Sequence, residues 1–140
     1  MDGTDLARQC RDAMYANDVA VRELGITVDV NGAGQAEARL VVRPEMLNGH
    51  DVCHGGYLFM LADTAFAYAC NSHNRVTIAS GAAIEFLRPA RLADQLVATA
   101  IERHRGGRTG TYDVRLCNQD GDEIALFRGR SYSTRQALIA

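Results

Sequence analysis

The sequence lacks a strong excess of charge of either sign, and this argues against nucleic acid as a main partner. Its 140 residues include 15 Lys and Arg against 17 Asp and Glu, for a net charge of −2 and a pI near 6.0. No global basic field is present to hold a polyanion, so nucleic acid is not expected as a partner. With 47% hydrophobic and 23% charged residues, the composition is that of a folded globular chain.

A hydrophobic run long enough to cross a bilayer is also missing. The longest apolar stretch, 55–70, is too short and has Asp63 at its centre, where hydrocarbon would penalise a charge. The opening residues MDGTDLARQC contain neither the apolar core of a signal peptide nor a lipidation pattern. We therefore expect a cytoplasmic protein that makes no contact with membranes.

The four cysteines lack the paired short spacings of a disulfide framework. They lie at Cys10, Cys53, Cys70 and Cys117. Scattered cysteines of this kind are typical of reduced intracellular chains. Free thiols are expected.

The sequence does contain strand patterns arranged around one long apolar helix. Thr4 is a candidate N-cap for a short amphipathic helix over about 4–17, and segment 55–72 is apolar around nearly its whole circumference. No segment between the later strands is long enough for a crossover helix, so the sheet should be antiparallel. We predict one α+β domain over 1–140, in which the sheet curls around the helix. The predicted strands are a hairpin, 26–30 with 35–42, and a four-strand meander, 78–87, 95–103, 109–118 and 123–133.

An aspartate lies in the middle of the apolar helix. Asp63 follows Leu61-Ala62, and its surroundings offer no obvious direction toward solvent. Burial of an unpaired carboxylate is costly, and perturbed carboxylates cluster at functional sites. Two structural explanations stay open: a carboxylate that caps the amides of a neighbouring loop, or one on an exposed stripe.

Glycines precede the same helix in His54-Gly55-Gly56. Glycines here would leave the first backbone amides accessible at the positive end of the helix, as in an oxyanion hole. The alternative explanation is a simple turn, which would contain the same residues. Gly55 and Asp63 are eight residues apart, about 12 Å along a helix. This distance is too great for both to flank one carbonyl carbon. If both act on one substrate, a second subunit must supply one of them, which predicts a homodimer with shared active sites.

Four segments are distinctive in combination: Met46-Leu47-Asn48-Gly49-His50, Cys53-His54-Gly55-Gly56, residues 61–72, and Phe86-Leu87-Arg88-Pro89. Together they resemble the hotdog-fold thioesterases, and more narrowly the PaaI type of bacterial phenylacetate degradation, from about residue 17 to residue 132. The resemblance implies a hotdog fold, assembled as a dimer and commonly as a dimer of dimers. It also implies hydrolysis of acyl-CoA, with hydroxylated phenylacetyl-CoA esters as the favoured class, and no metal or redox cofactor.

The resemblance assigns roles to several residues as well. Gly55 would offer its amide to the thioester oxygen, and Asp63 would be the nucleophile or the general base. Asn48 would orient the thioester or the attacking water, and His54 would shape the loop. Gly56 is expected to contact the substrate.

Further substrate contacts are expected on the helix and on the strand that follows it. Thr64 comes directly after Asp63. Some relatives place a Ser or Thr on the strand before Phe-Leu-Arg-Pro to hold the water; here Ala79 takes that position and Ser80 is one place away. We take Ser80 as the candidate.

A basic turn, Arg103 to Arg108, stands out on the acidic chain. Arg105 and Arg108, together with Arg88, are expected to meet the phosphates of coenzyme A through charge-assisted hydrogen bonds. A solvated loop is the alternative explanation.

Other chemistries fit the sequence less well. His50 and His54 lack a second cluster to complete a metal site, and Cys53 beside His54 lacks a further polar group to orient the base. A hotdog hydratase or dehydratase would need a carboxylate–histidine pair at a spacing that is not found here. A non-catalytic acyl-CoA sensor would normally carry an added DNA-binding domain.

Overall fold

In the computed structural model, which describes residues 2–140, the chain begins with two helices. The sequence pattern predicts the first of them but not the second. Helix α1 covers Gly3–Asn17. Its N-cap is Asp2 and not Thr4, because the Asp2 carboxylate accepts the amide hydrogens of Thr4 and Asp5 at 2.9 Å each. Helix α2, Val19–Leu24, was not predicted. It is only six residues long and buries Val21 alone, so it has no apolar periodicity to detect.

Six strands form one antiparallel sheet in the order β1-β2-β4-β5-β6-β3. Every adjacent pair runs antiparallel, as predicted. The predicted hairpin is confirmed as the pairing of β1 with β2. The strands are β1 Thr27–Gly32, β2 Gln35–Val41, β3 Thr77–Phe86, β4 Gln95–Gly106, β5 Thr109–Cys117 and β6 Glu123–Ser133.

The predicted four-strand meander is wrong for its first strand. Only β4, β5 and β6 follow one another as hairpins, whereas β3 pairs with β6 at the far edge of the sheet. The connection 87–94 makes this possible because it crosses the end of the sheet. The Leu87 amide donates to the Ile124 carbonyl at 2.8 Å, and the Ala93 amide donates to the Val42 carbonyl at 2.9 Å.

The sheet curls around helix α3, Gly55–Cys70, as predicted. Phe66 is 1% exposed, and its ring lies against the backbone of Gly129, where a Cβ atom would come within 2.8 Å of it. Any larger residue at 129 would force the Phe66 ring to move. The Phe66 ring centroid is also 5.6 Å from that of Tyr112 and 5.8 Å from that of Phe127. Aromatic packing therefore fixes the helix on the sheet.

Strand β3 forms an open edge of the sheet with apolar side chains exposed. Ile78 is 56% exposed and Phe86 is 53% exposed. An edge strand of this kind presents unpaired amides and carbonyls that another strand can join. The edge is a candidate surface for association.

Two further expectations concern the state of the cysteines and the absence of a membrane-spanning helix. All four cysteines are free thiols, which confirms that prediction. Within residues 2–140, no helix is long and apolar enough to cross a membrane.

Candidate active site

The first turn of α3 is capped by a side chain of the residue that precedes it. The Gly56 amide donates to His54 Nδ1 at 2.9 Å, so His54 is the N-cap of the helix. Since Nδ1 accepts, the neutral ring carries its proton on Nε2. The Gly55 amide donates to no acceptor within residues 2–140. It lies at the positive end of the helix and is available to an oxygen that develops negative charge.

Asn48 organises the loop that leads into α3. Its Oδ1 accepts the His50 amide at 2.8 Å and the Val52 amide at 3.4 Å. A bridge between Leu47 and Cys53 closes the same loop. The Asn48 carbonyl is therefore used within the loop, and only its side-chain NH₂ group remains to orient a ligand.

Asp63 lies on a partly exposed stripe of α3, which corrects the expectation of a helix without a solvated direction. The stripe consists of Gly56, Phe59, Met60, Asp63 and Ala67, while most other helix positions are buried. The carboxylate has no hydrogen bond or ion pair with any described residue of its own protomer, so it caps no neighbouring loop. Burial on the helix raises the pKa of Asp63 above its ordinary value. A half-buried carboxylate without a partner is suited to accept a proton or to attack carbon.

Gly55 and Asp63 do not meet within one protomer. Both belong to α3, and their eight-residue spacing corresponds to about 12 Å along the axis. A carbonyl bound at the Gly55 amide is therefore out of reach of the same chain's Asp63.

Two cavities flank the start of α3. The first, here called the Arg88 cavity, has a volume of about 390 Å³, and Gly55, Leu58, Phe86, Leu87 and Arg88 contribute to its lining. The second, here called the Glu23 cavity, has a volume of about 460 Å³. Its walls come from α2 and from the first turns of α3. Residues that line it include Ala20, Glu23, Leu24, Gly56, Tyr57 and Met60, with His54 at its side.

Thr64 and Ser80, the candidate substrate contacts on the helix and on the following strand, are less well placed to contact a substrate. Thr64 is 4% exposed and its hydroxyl donates to the Met60 carbonyl at 2.6 Å, so the structure does not bring it to the site. Ser80 lies where the register of β3 with β6 shifts between Ala79 and Gly81. Its hydroxyl donates to the Arg130 carbonyl at 3.2 Å. Such a bulge re-aims side chains, which the spacing from Pro89 does not reveal.

The three candidate arginines lie at two ends of the sheet. Arg88 lines the cavity next to Gly55, and its Nη1 donates to the Glu123 carbonyl at 3.0 Å. Arg105 and Arg108 lie at the β4–β5 turn, where the Ser133 amide donates to the Arg108 carbonyl at 2.7 Å. Ser133 pairs with the first residue of β3, whereas Gly55 lies near the last. The two sets are therefore about 30 Å apart in one protomer, the length of a ten-residue strand.

The alternative chemistry at Cys53 finds no support in this geometry. Burial, and then the Asp94 carboxylate, raise the pKa of the Cys53 thiol to about 11, so it is protonated at neutral pH. Among the described residues, no three His, Cys, Asp or Glu side chains gather as metal ligands.

A polar cluster that the sequence did not reveal lies at the other end of α3. The Tyr112 hydroxyl donates to Glu102 Oε1 at 2.7 Å, and His73 Nε2 is also 2.7 Å from that atom. Burial would raise the pKa of Glu102, but the two hydrogen bonds bring it below its ordinary value. Each group has its partner within the cluster, which is typical of a structural role.

Comparison with known proteins identifies the family. The model of the thioesterase superfamily matches residues 50–125. The acyl-coenzyme A thioesterase PaaI of Escherichia coli K12 is 50% identical over 126 residues, 90% of either chain. The structure of the E. coli PaaI protein from the phenylacetic acid degradation operon superposes with a TM-score of 0.95 at 46% identity, covering 97% of this chain and 99% of that one.

A more distant similar structure is one with coenzyme A. A hypothetical thioesterase of Streptococcus pneumoniae with coenzyme A has a TM-score of 0.76 at 25% identity, covering 80% of this chain and 90% of that one. The curated relative and the superposed hotdog fold agree with the family match. The chain therefore belongs to the thioesterase superfamily and is a hotdog-fold acyl-CoA thioesterase of the PaaI type.

Proposed function

We propose that this thioesterase hydrolyses aryl-CoA thioesters, above all (hydroxy)phenylacetyl-CoA, to the free acid and CoA in phenylacetate degradation in the cytoplasm. The observation that carries the proposal is the 50% identity to E. coli PaaI over nine-tenths of the chain. That protein's gene lies in a phenylacetic acid degradation operon. The mainly apolar Glu23 cavity next to the free Gly55 amide is consistent with an aromatic acyl group.

In the proposed mechanism, the Gly55 amide donates to the thioester carbonyl oxygen and stabilises the oxyanion that forms on attack. Removing a donor of this kind commonly costs about 3–4 kcal/mol. Asp63 of a second copy either attacks the carbonyl carbon to give an anhydride that water then hydrolyses, or takes a proton from the attacking water. In both routes the carbon–sulfur bond breaks, and CoA leaves as a thiolate that is then protonated. No metal or redox cofactor takes part.

The proposed homodimer is supported by the open edge of β3. Two β3 strands that pair antiparallel about a two-fold axis would continue the sheet and cover Ile78 and Phe86. Phe86 lies against Gly55, so this pairing carries the Gly55 end of one copy toward the beginning of the other copy's β3. A shared active site further requires that the Asp63 stripe face the neighbour. A dimer of dimers is proposed on the family resemblance.

The same pairing brings the basic turn of one copy toward the Gly55 end of the other. Arg105→Glu combined with Arg108→Glu is expected to raise KM for acyl-CoA about tenfold or more, with kcat within about twofold. Phosphate contacts lie far from the carbonyl and stabilise ground and transition states alike. Steady-state kinetics at low and high salt would measure this, because salt should weaken the effect.

A control for the charge reversal is Arg8→Glu with Arg39→Glu, two exposed arginines on other parts of the surface. Because Arg39 also loses its ion pairs with Asp29 and Glu37, thermal unfolding must first establish that this control is folded. It changes the net charge equally and should leave KM near the wild-type value. If both double variants have the same KM, the basic turn is a solvated loop and the CoA contact is wrong.

The substrate is tested with the wild-type protein. Thiol release should be followed for phenylacetyl-CoA, hydroxyphenylacetyl-CoA, acetyl-CoA and hexanoyl-CoA, and the arylacetyl esters should give the highest kcat/KM. A preference for an alkyl ester would contradict the proposed substrate. Binding without thiol release would favour the non-catalytic sensor. In a separate assay, loss of the enoyl absorbance when the protein is given an enoyl-CoA would favour the hydratase.

A further inference from the structure

The Gly55 amide lies between two cavities of opposite charge. A carbonyl bound at that amide carries two arms on its carbon, the acyl group and the sulfur of coenzyme A. The Arg88 cavity contains a guanidinium that keeps free donors beyond its bond to Glu123. The Glu23 cavity contains a carboxylate, and no Lys or Arg contributes to its lining. The two cavities therefore suit arms of different charge.

We infer that the acyl group binds in the Glu23 cavity while the CoA arm leaves through the Arg88 cavity, an inference that rests on the proposed function. The phosphates of coenzyme A are attracted by Arg88 and repelled by Glu23. An acyl group bears no charge that would oppose its binding beside a carboxylate. Helix α2 thus becomes a wall of the acyl site.

The lining of the Glu23 cavity favours an aromatic acyl group. Ala20, Leu24, Tyr57 and Met60 provide apolar surface, and Tyr57 offers a ring against which another ring can pack. The unbranched Met60 side chain adapts to the shape of a ligand. The Glu23 cavity is a shallow depression that is largely open to solvent, and its volume of about 460 Å³ is enough to hold an aromatic ring.

Glu23 gives the same cavity a means to recognise a hydroxylated ring. Its carboxylate makes no hydrogen bond or ion pair with the other residues of 2–140, and it is exposed at the rim. A phenolic hydroxyl that reaches the rim would donate to it in a charge-assisted hydrogen bond. We therefore expect Glu23 to favour hydroxylated over plain arylacetyl esters.

The test compares tryptophan at two adjacent positions of α2. Ala20 is exposed and lines the cavity, whereas Val19, 65% exposed, does not. Ala20→Trp should lower kcat/KM for phenylacetyl-CoA at least tenfold and leave that for acetyl-CoA within about twofold, because the short acyl group does not reach the blocked volume. The inhibition constant of free CoA should not change. Val19→Trp should behave as wild type with every substrate.

A second variant tests the recognition of the ring hydroxyl. Glu23→Gln should lower the ratio of kcat/KM for hydroxyphenylacetyl-CoA to that for phenylacetyl-CoA about three- to tenfold, a modest change because the rim is solvated. An unchanged ratio would overturn the role of Glu23. Thermal unfolding of each variant establishes that it is folded.

Other outcomes separate this inference from the proposed function. If Ala20→Trp affects acetyl-CoA as strongly as phenylacetyl-CoA, or raises the inhibition constant of CoA instead, the cavity holds the CoA arm and the inference is wrong. If Ala20→Trp changes nothing, the cavity is unused and the inference is equally wrong. If the wild type prefers alkyl esters, the proposed substrate fails, and the same comparison is made between hexanoyl-CoA and acetyl-CoA.

Discussion

Asp63→Asn is expected to lower kcat at least a thousandfold and to leave a folded oligomer. Asparagine keeps the size of the side chain but neither attacks the carbonyl carbon nor takes a proton from water. Asp63 has no polar partner within its own protomer to lose, so the structural damage should be small. Thiol release measures the loss, and ultracentrifugation compares the assembly with wild type. Near-normal turnover of the purified variant would exclude the catalytic role.

The same variant should be more stable than wild type at neutral pH. Burial raises the pKa of Asp63 above its ordinary value near 3.8, so the ionised carboxylate is disfavoured in the folded state. This cost to the free energy of unfolding is present above the folded pKa and is lost as pH falls below 3.8. Chemical unfolding at pH 7 and at low pH should therefore show an advantage of Asp63→Asn only at pH 7. A variant that is inactive and more stable indicates a charge retained for function.

Gly55→Pro is expected to lower kcat about a hundred- to a thousandfold, because proline lacks the amide that stabilises the oxyanion. Gly55 is the first residue of α3, where proline fits the helix. The preceding residue, His54, already has ψ of 135°, which a following proline requires. The backbone should therefore accept the change, and thiol release reports the loss of the donor.

Gly55→Ala separates the loss of the donor from the added bulk. A Cβ at this position would come within 3.2 Å of the Phe86 ring, in alanine as in proline, but alanine keeps the amide. The contact is too close by only a few tenths of an ångström, so a small shift of the Phe86 ring relieves it. Gly55→Ala should therefore retain activity within about tenfold of wild type. If it is as inactive as Gly55→Pro, the contact with Phe86 and not the amide explains the loss.

Helices and strands with a clear apolar pattern were predictable from the sequence. The order of the strands in the sheet was harder to predict. The apolar run of α3 and the alternation in β2 determine helix and strand locally. The place of β3 at the far edge depends on the path of the 87–94 connection, which no local pattern encodes. Helix α2 has only one buried residue and therefore no apolar periodicity by which it could be predicted, although it forms a wall of the Glu23 cavity.

The candidate site shows the same division. The residue types alone identified Gly55 and Asp63 as candidate functional residues. Their spacing on one helix predicted that they do not meet within one protomer. The sequence could not predict which amide is available to a ligand. This depends on the His54 ring, which accepts the Gly56 amide and leaves that of Gly55 free. The burial of Thr64 likewise follows from which face of α3 meets the core.

Subunit complementation tests the central claim, an active site shared between two copies, most directly. An Asp63→Asn chain keeps the Gly55 amide, and a Gly55→Pro chain keeps the Asp63 carboxylate, so each homodimer should be folded and inactive. In a mixed dimer with shared sites, one site carries both defects and the other carries neither. Subunit exchange should then restore about half of the wild-type turnover per heterodimer. An inactive mixture, with heterodimers verified by native mass spectrometry, would show that both residues act within one chain and would contradict the account.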